Sequence, residues 1–366
     1  MMISRRGIAL MDQVTDKAVI STAWNQLCQQ RQGDHHNQDI WHLRFYWPVK
    51  RDEICQRLSQ GEYNFSPCRS VVVQGERVSL WCAEDALVLK ALTRVLSRDE
   101  LSPCCYHLQG RGAKACVSQL KGCVDQYRFV CRSDVDSYYD SIDHGVLLRQ
   151  LAPLLIKLGD DGRVLALIER LLQRVDSVDG ALFPVFRGLS KGCALSPLLG
   201  AIYLLVMDRQ LGEFCARRGL KYFRFMDDWV ILCKTRRQLR QVVRIMNQCL
   251  DAVKQCKHPY KTYIGRIREE GFDFLGYRIT PGTERNVSLA WKTWANHVSK
   301  LLRLYEQGAS WDRIAEYVKH WLVWVRSGVS IDLGKVISEA LGSDMGQRLL
   351  RLMPIDAVYR KYVGEC

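Results

Sequence analysis

One run constrains this chain more than any other: Tyr222-Phe223-Arg224-Phe225-Met226-Asp227-Asp228-Trp229-Val230-Ile231-Leu232. Two apolar, aromatic-rich arms flank adjacent aspartates, which predicts a β-hairpin with both carboxylates at its turn. Asp is an ordinary turn residue, because its side chain bonds its own backbone. The flanks ask for more. Phe, Met and Trp around two like charges penalise ionisation unless a cation compensates. A hard divalent ion with oxygen ligands, such as magnesium, supplies that compensation. The hairpin therefore predicts a third carboxylate elsewhere in the chain.

A candidate follows the predicted buried strand Tyr127 to Ser133, which runs into Asp134-Val135-Asp136-Ser137-Tyr138-Tyr139-Asp140-Ser141-Ile142-Asp143-His144. An aspartate leaving a buried strand to face a hairpin with two more is how a two-metal site is built. Its paired cations clamp the attacking and leaving oxygens of a phosphoryl transfer. Asp134 is the expected partner of Asp227; Asp140 and Asp143 suit helix starts. A solvated acidic turn is the rival reading of this stretch alone. Further on, Arg187-Gly188-Leu189-Ser190-Lys191-Gly192 precedes Cys193-Ala194-Leu195-Ser196-Pro197 and an apolar helix. Glycines 188 and 192 would let the backbone approach another molecule, Lys191 offers a cation, and Pro197 suits a first helical turn.

The overall charge fits a polyanionic partner. Of 366 residues, 53 are basic and 39 acidic, a net charge of +14, which favours a polyanionic partner, nucleic acid rather than a membrane surface. An apolar content of 48% makes the chain globular, and its length suggests two or three lobes. The fifteen cysteines contain no Cys-x-x-Cys pair, which argues against a zinc ribbon and for small core residues in a reduced, cytoplasmic protein. The N-terminus is expected to be no signal peptide, and the longest apolar run, Ala194 to Met207, is too short for a bilayer.

Local patterns place the rest. The first sixty residues carry little signal: Gln29 to Asp39, with His35 and His36, reads as a loop, and Ile54 to Leu58 as a short helix. Strands are expected at Ser70 to Gln74 and Val78 to Trp81, and a helix at Asp85 to Leu96 with Leu87, Leu89, Ala91, Leu92 and Val95 inward. Gly110-Arg111-Gly112 lacks the spacing of a phosphate loop and suits a basic contact to nucleic-acid backbone. Thr235 to Val253 is amphipathic, with Leu239, Val242, Val243, Met246, Leu250 and Val253 inside and Arg236, Arg237, Arg240 and Arg244 on a solvated face. From Trp291 onward the pattern is helical, and the last forty residues suit a helix pair for self-association.

Taken together, the Asp134 stretch, Gly-x-x-x-Gly with Leu195-Ser196-Pro197-Leu198-Leu199, Phe225-Met226-Asp227-Asp228 and Phe274-Leu275-Gly276-Tyr277 resemble bacterial reverse transcriptases of the group II intron-like, retron and defence-associated kinds. The resemblance covers residues 60 to 330. It implies an α+β, right-hand polymerase fold: N-terminal extension 1–59, fingers 60–126, first palm part 127–145, fingers and palm helices 146–186, palm with hairpin and primer grip 187–287, and helical thumb with C-terminal helices 288–366. It implies an RNA-directed DNA polymerase with two Mg2+ ions. Asp134, Asp227 and Asp228 match the catalytic aspartates, and Asp134, Val135, Asp227 and Asp228 the metal site. Arg77, Tyr139, Lys191 and Lys261 match nucleotide-binding positions. Tyr139 is the ring that would exclude a ribose 2′-hydroxyl, and Lys261 is a phosphate contact or a proton donor to pyrophosphate. Phe274, Leu275, Gly276 and Tyr277 match the primer grip.

Two departures stand out: Phe225 replaces a tyrosine common among relatives, and Lys191 replaces a glutamine beside the incoming nucleotide. Leu195-Ser196-Pro197 argues against a diversity-generating enzyme, and no intron-mobility endonuclease is expected. The implied partners are an RNA template, a dedicated non-coding RNA, with a DNA primer or product and dNTPs. A partner protein or homo-oligomer stays open, a membrane is not expected, and antiviral defence is the implied setting. The competing readings are a template-independent or protein-assisted nucleotide polymerase and a non-catalytic RNA-binding scaffold.

Overall fold

The protein was analysed as a computed structural model, which describes residues 8–73, 75–97, 101–108, 111–282, 287–326, 337–338, 341–352, 355 and 358–359. The expectations for Gln74 and Gly110, for the first seven residues and for most of the last forty lie outside the described residues. In chain order come helices α1 (Leu10–Val14), α2 (Lys17–Gln30), α3 (Asp39–Phe45) and α4 (Trp47–Ser59). Strands β1 (Cys68–Val73) and β2 (Glu76–Leu80) lead into α5 (Ala83–Leu96) and α6 (Gly112–Lys121). Next are β3 (Phe129–Ser133), α7 (Tyr138–Ser141), α8 (His144–Lys157), α9 (Arg163–Leu172), β4 (Val175–Val178) and β5 (Ala181–Pro184). Helices α10 (Ser196–Tyr203) and α11 (Leu205–Arg218) precede β6 (Lys221–Phe225), β7 (Asp228–Cys233) and α12 (Arg236–Ala252). The chain continues through β8 (Tyr263–Arg266), β9 (Phe272–Phe274), β10 (Tyr277–Ile279), β11 (Val287–Leu289), α13 (Trp291–Glu306), α14 (Trp311–Arg326) and α15 (Asp344–Leu352).

The chain divides into two compact units, each assembled from three segments: Met1–Gln109, Asp134–Phe214 and Arg244–Lys261 in the first; Gly110–Ser133, Cys215–Val243 and Thr262–Cys366 in the second. In the first unit α5 packs on α2. Its inward residues are those the spacing predicts: Leu87, Leu89, Ala91, Leu92 and Val95 are all buried. The helix starts two residues early, at Ala83, because the Cys82 thiol caps it. The buried Asp85 carboxylate accepts from the Tyr63 hydroxyl (2.7 Å) and the Ser66 N–H (3.0 Å). Strands β1 and β2 form an antiparallel pair in a sheet ordered β2-β1-β4-β5, where β4 lies parallel to β1. Among the described residues of the quiet first sixty there are four helices, and α4 extends well beyond the short helix expected at Ile54 to Leu58.

The second unit is built on an antiparallel sheet ordered β6-β7-β3-β8 and a smaller one ordered β11-β10-β9. The residues of β7 are buried on both faces after Asp228, which is why Trp229 to Cys233 reads as a continuous apolar run. Helices α13, α14 and α15 close on a core of Trp294, Val298, Leu301, Ile314, Val318, Leu322 and Leu349. His297 sits inside it, 2.7 Å from the Tyr359 hydroxyl and stacked on Trp321. Among the described residues no helix is long and apolar enough to cross a membrane, and the cysteines are mostly buried or half-buried. Burial pushes the Cys68, Cys82 and Cys233 thiols up to about 12, consistent with core packing.

Candidate active site

In the second unit the aspartate pair lies where the hairpin predicts. Phe225 pairs with Asp228, so Met226 and Asp227 form a two-residue loop, with Met226 left-handed at φ 57°. Beneath the loop, Arg224 is 0% exposed, and its guanidinium donates to the Met226 carbonyl at 2.7 Å. Burying a guanidinium is costly unless its donors are used. Arg224 therefore fixes the turn that presents the carboxylates. Sequence reasoning missed it; the signal was a lone charge inside an apolar strand. Antiparallel to β7 lies β3, with Ser133 opposite Trp229.

In the first unit, Asp134 begins a segment laid against residues 256–258. Its carbonyl accepts from the His258 N–H (2.8 Å), the Asp136 N–H reaches the Cys256 carbonyl (2.9 Å), and Val135 bridges Lys257. In this antiparallel arrangement the flanking residues make the bonds, so Val135's own carbonyl faces the opposite edge. Asp134 is 3% exposed. Its Oδ2 lies 2.6 Å from Lys261 Nζ, so Lys261 meets a carboxylate where the resemblance suggested a phosphate. Among the described residues, no three His, Cys, Asp or Glu side chains are gathered as a ready-made metal cage. The aspartates nevertheless fit magnesium in kind: their donors are hard oxygens.

Two of the other candidate nucleotide-binding residues in the first unit, Arg77 and Lys191, line one cavity. Arg77, Asp140, Arg187 and Lys191 line a space of about 380 Å³. Lys191 Nζ stands 3.6 Å from Glu76 and 3.8 Å from Asp140. Its carbonyl accepts from the Ser79 N–H (2.8 Å), which ties the loop to β2. The two flanking glycines make room for the chain itself rather than for another molecule. A Cβ at Gly192 (φ 97°) would lie 2.6 Å from the Ser79 carbonyl oxygen, and one at Gly188 (φ 87°) 3.0 Å from that of Tyr139. The expectation of an approach to a bound partner is corrected there: backbone packs on backbone. Tyr139, half-buried at the start of α7, is fixed from the same side, since its carbonyl accepts from the Leu189 N–H (2.8 Å). His144 Nε2 lies 2.8 Å from the Gly188 carbonyl, and burial holds its pKa below the usual value. Asp143 caps α8 as expected, accepting from the Val146 N–H, while Asp140 sits within α7.

Phe274 and Tyr277 pair across a second two-residue loop in the second unit. Leu275 (φ 49°) and Gly276 (φ 85°) are both left-handed, as a tight hairpin between twisted strands requires. The Gly276 carbonyl accepts from the Thr293 hydroxyl (2.8 Å) and the Ala290 N–H (3.1 Å), and Tyr277 stacks on Trp324. The turn at 274–277 is therefore anchored to α13 and α14.

These two hairpins, the second held by α13 and α14, make an α+β fold of the palm type. Residues 86–279 match the reverse transcriptase (RNA-dependent DNA polymerase) family, and the chain belongs to it. Its fold is the α+β, right-hand fold of that family. Among solved structures, telomerase from Candida albicans in complex with a TWJ fragment of telomeric RNA is similar in fold, at 13% identity and a TM-score of 0.50, covering 90% of this chain and 69% of that one. Two Cas6-RT-Cas1–Cas2 complexes match at 23% identity, 68% coverage and a TM-score of 0.40. The chain spans only 42% and 26% of the length of the matched chains in those complexes. No match to a curated protein was found.

Proposed function

We propose that Asp134, Asp227 and Asp228, with the Val135 carbonyl, hold two Mg2+ ions and that the protein copies RNA into DNA on them. The observation that carries this reading is the register of β3 on β7. Ser133 and Trp229 are partners; Asp134 follows the first along the chain, and Asp228 precedes the second. Bound magnesium would lower the charge on the phosphates and favour the ionised primer hydroxyl. In the reaction the primer 3′ oxygen bonds to the α-phosphorus of a dNTP, the bond to the bridging oxygen breaks, and pyrophosphate leaves. Lys261, ion-paired with Asp134 in the free enzyme, contacts a phosphate of the nucleotide or gives its proton to the leaving pyrophosphate. Arg77 and Lys191 contact the triphosphate, Lys191 as a point charge where a glutamine would offer an amide. Tyr139 presents its ring to the sugar and excludes a 2′-hydroxyl. Phe274, Leu275, Gly276 and Tyr277 hold the primer end on a turn too tightly bonded to drift.

On this reading, 60–126 are fingers, 127–145 and 187–287 palm with 146–186 between them, 288–366 thumb, and 1–59 an extension. The template is a dedicated non-coding RNA, and the work is done in the cytoplasm, in antiviral defence. The net charge of +14 supports a nucleic-acid partner; a partner protein or a second copy completes the system. Purified protein given primed RNA or primed DNA, with dNTPs or NTPs, tests the polymerase reading. Extension of the RNA-templated primer with dNTPs supports it. Tailing without any template would favour the template-independent alternative, and no incorporation the scaffold. Sequencing the RNA that copurifies tests the template claim: one enriched non-coding species supports it, and a random sample of cellular RNA contradicts it.

A further inference from the structure

The second unit carries a strongly basic surface at the end of its large sheet away from the aspartate turn. Segment 215–243 holds eight basic residues and two acidic ones, and both acids are at the turn. The register sets Lys221 opposite Leu232, and Phe129 opposite both Cys233 and Arg266. Four strand ends therefore stand abreast, about 14 Å across. From this end project Arg128, Lys221, Lys234, Arg236, Arg237 and Arg266, all exposed. The pieces are tied together: the Arg128 N–H reaches the Cys233 carbonyl (3.1 Å), and the Tyr127 hydroxyl the Gly219 carbonyl (3.1 Å). Lys234 Nζ lies 6.0 Å from the Tyr127 ring. Arg240 continues the surface one turn further along α12 and is also exposed.

This arrangement works against the stability of the free protein. Helix α12 has no acidic residue in its first turn and places Arg236 and Arg237 there, at the positive end of the helix dipole. Arg236 and Arg237 also repel Arg240, at the spacings where helical neighbours meet. Mixed signs would solubilise the face equally well. Here six exposed basic residues outweigh the nearby Asp125, which shares the surroundings of Cys123 with Lys221, and an excess of that size is the footprint of a polyanion. The surface begins about 14 Å from the aspartate turn, four residues back along β6, too far to hold the nucleotides being joined.

We infer that this basic sheet end binds the uncopied part of the template RNA through its phosphates, anchoring the molecule while another part of it passes the aspartate turn. The RNA identity of the partner rests on the polymerase reading; the phosphate chemistry does not. The test compares the triple variant Arg236→Ala/Arg237→Ala/Arg240→Ala with the corresponding triple Lys variant. An RNA stem-loop is the binding probe, and oligo(dT) extension on poly(rA) is the activity control. The Ala variant is expected to bind the stem-loop at least about tenfold more weakly near physiological salt. The slope of log affinity against log salt should be shallower by about 2 to 3, at 0.7–0.9 per phosphate contact. The Lys variant should keep both values, because a point charge suffices, and at saturating poly(rA) the maximal extension rate should be unchanged in either. Unchanged affinity and slope in the Ala variant overturn the inference. Equal losses in both variants overturn it too, because they mean packing rather than charge. Loss of a copurifying acidic protein with RNA affinity intact assigns the surface to that protein instead. If the wild type fails to extend any primer but the Ala variant still loses the stem-loop, the surface stands and the polymerase reading falls.

Discussion

Gly192→Ala is the substitution whose effect the structure sets most sharply. Gly192 has φ 97°, and a Cβ there would stand 2.6 Å from the backbone oxygen of Ser79. A left-handed conformation costs an L-residue about 1–2 kcal/mol. Relieving the overlap must move backbone, because the atom met is a carbonyl in β2, and overpacking of that kind costs about 1–3 kcal/mol. The sum, about 2–5 kcal/mol, should appear as a lower urea midpoint at constant slope. Gly180→Ala isolates the first contribution, since Gly180 has φ 85° and open space around it; its expected cost is about 1–2 kcal/mol. Gly33→Ala, with neither feature, should stay within about 0.5 kcal/mol of wild type. The same shift pulls Lys191 away from the Ser79 N–H, so KM for dNTP should rise in Gly192→Ala and in neither control. Should Gly192→Ala cost no more than Gly180→Ala, the close approach of the loop to β2 is wrong.

Tyr139→Ala is expected to raise ribonucleotide incorporation relative to deoxynucleotide incorporation at least about tenfold, the order that one lost steric contact supports; unchanged sugar preference in competition assays removes the gate from this residue. Lys191→Gln should leave stability within about 1 kcal/mol, because its ion pairs with Glu76 and Asp140 are partly exposed. The same change should raise KM for dNTP about tenfold or more through a lost charged hydrogen bond; an unaltered KM would place Lys191 outside the triphosphate site. Burial lowers the His297 pKa to about 3, so below pH 6.5 the unfolded chain binds a proton that the folded one refuses. Stability should therefore be fully present above about pH 6.5 and fall toward pH 3, at up to about 1.4 kcal/mol per pH unit. Urea midpoints of His297→Gln should fall less steeply over that window, and equal slopes would mean the buried imidazole does not titrate as described.

The hairpin at 222–232, α5 and α12 were legible because their patterns are local: alternation or three-and-four spacing decides which face is buried. The N-terminal helices were equally local, since Val19, Ile20, Ala23 and Leu27 form one helical face, yet polar residues between them masked it. Contacts between distant parts of the chain were not legible. Nothing near Gly192 announces Ser79, and nothing near Lys261 announces Asp134, 127 residues away. The glycines were therefore read as space for a ligand and the lysine as a phosphate contact. Arg224 went unseen because an arginine in a strand is ordinarily a surface residue; only its 0% exposure marks it as the support of the turn.

The central claim is that the three aspartates carry magnesium-dependent copying of RNA into DNA. It is tested most directly by primer extension on an RNA template, with magnesium titrated, using wild type, Asp134→Asn and Asp227→Asn. The account predicts synthesis by the wild type that chelation abolishes and magnesium restores. Each variant should lose at least about a thousandfold in rate, at unchanged fold and RNA affinity. Full synthesis by Asp227→Asn, or by the wild type in excess chelator, would contradict it.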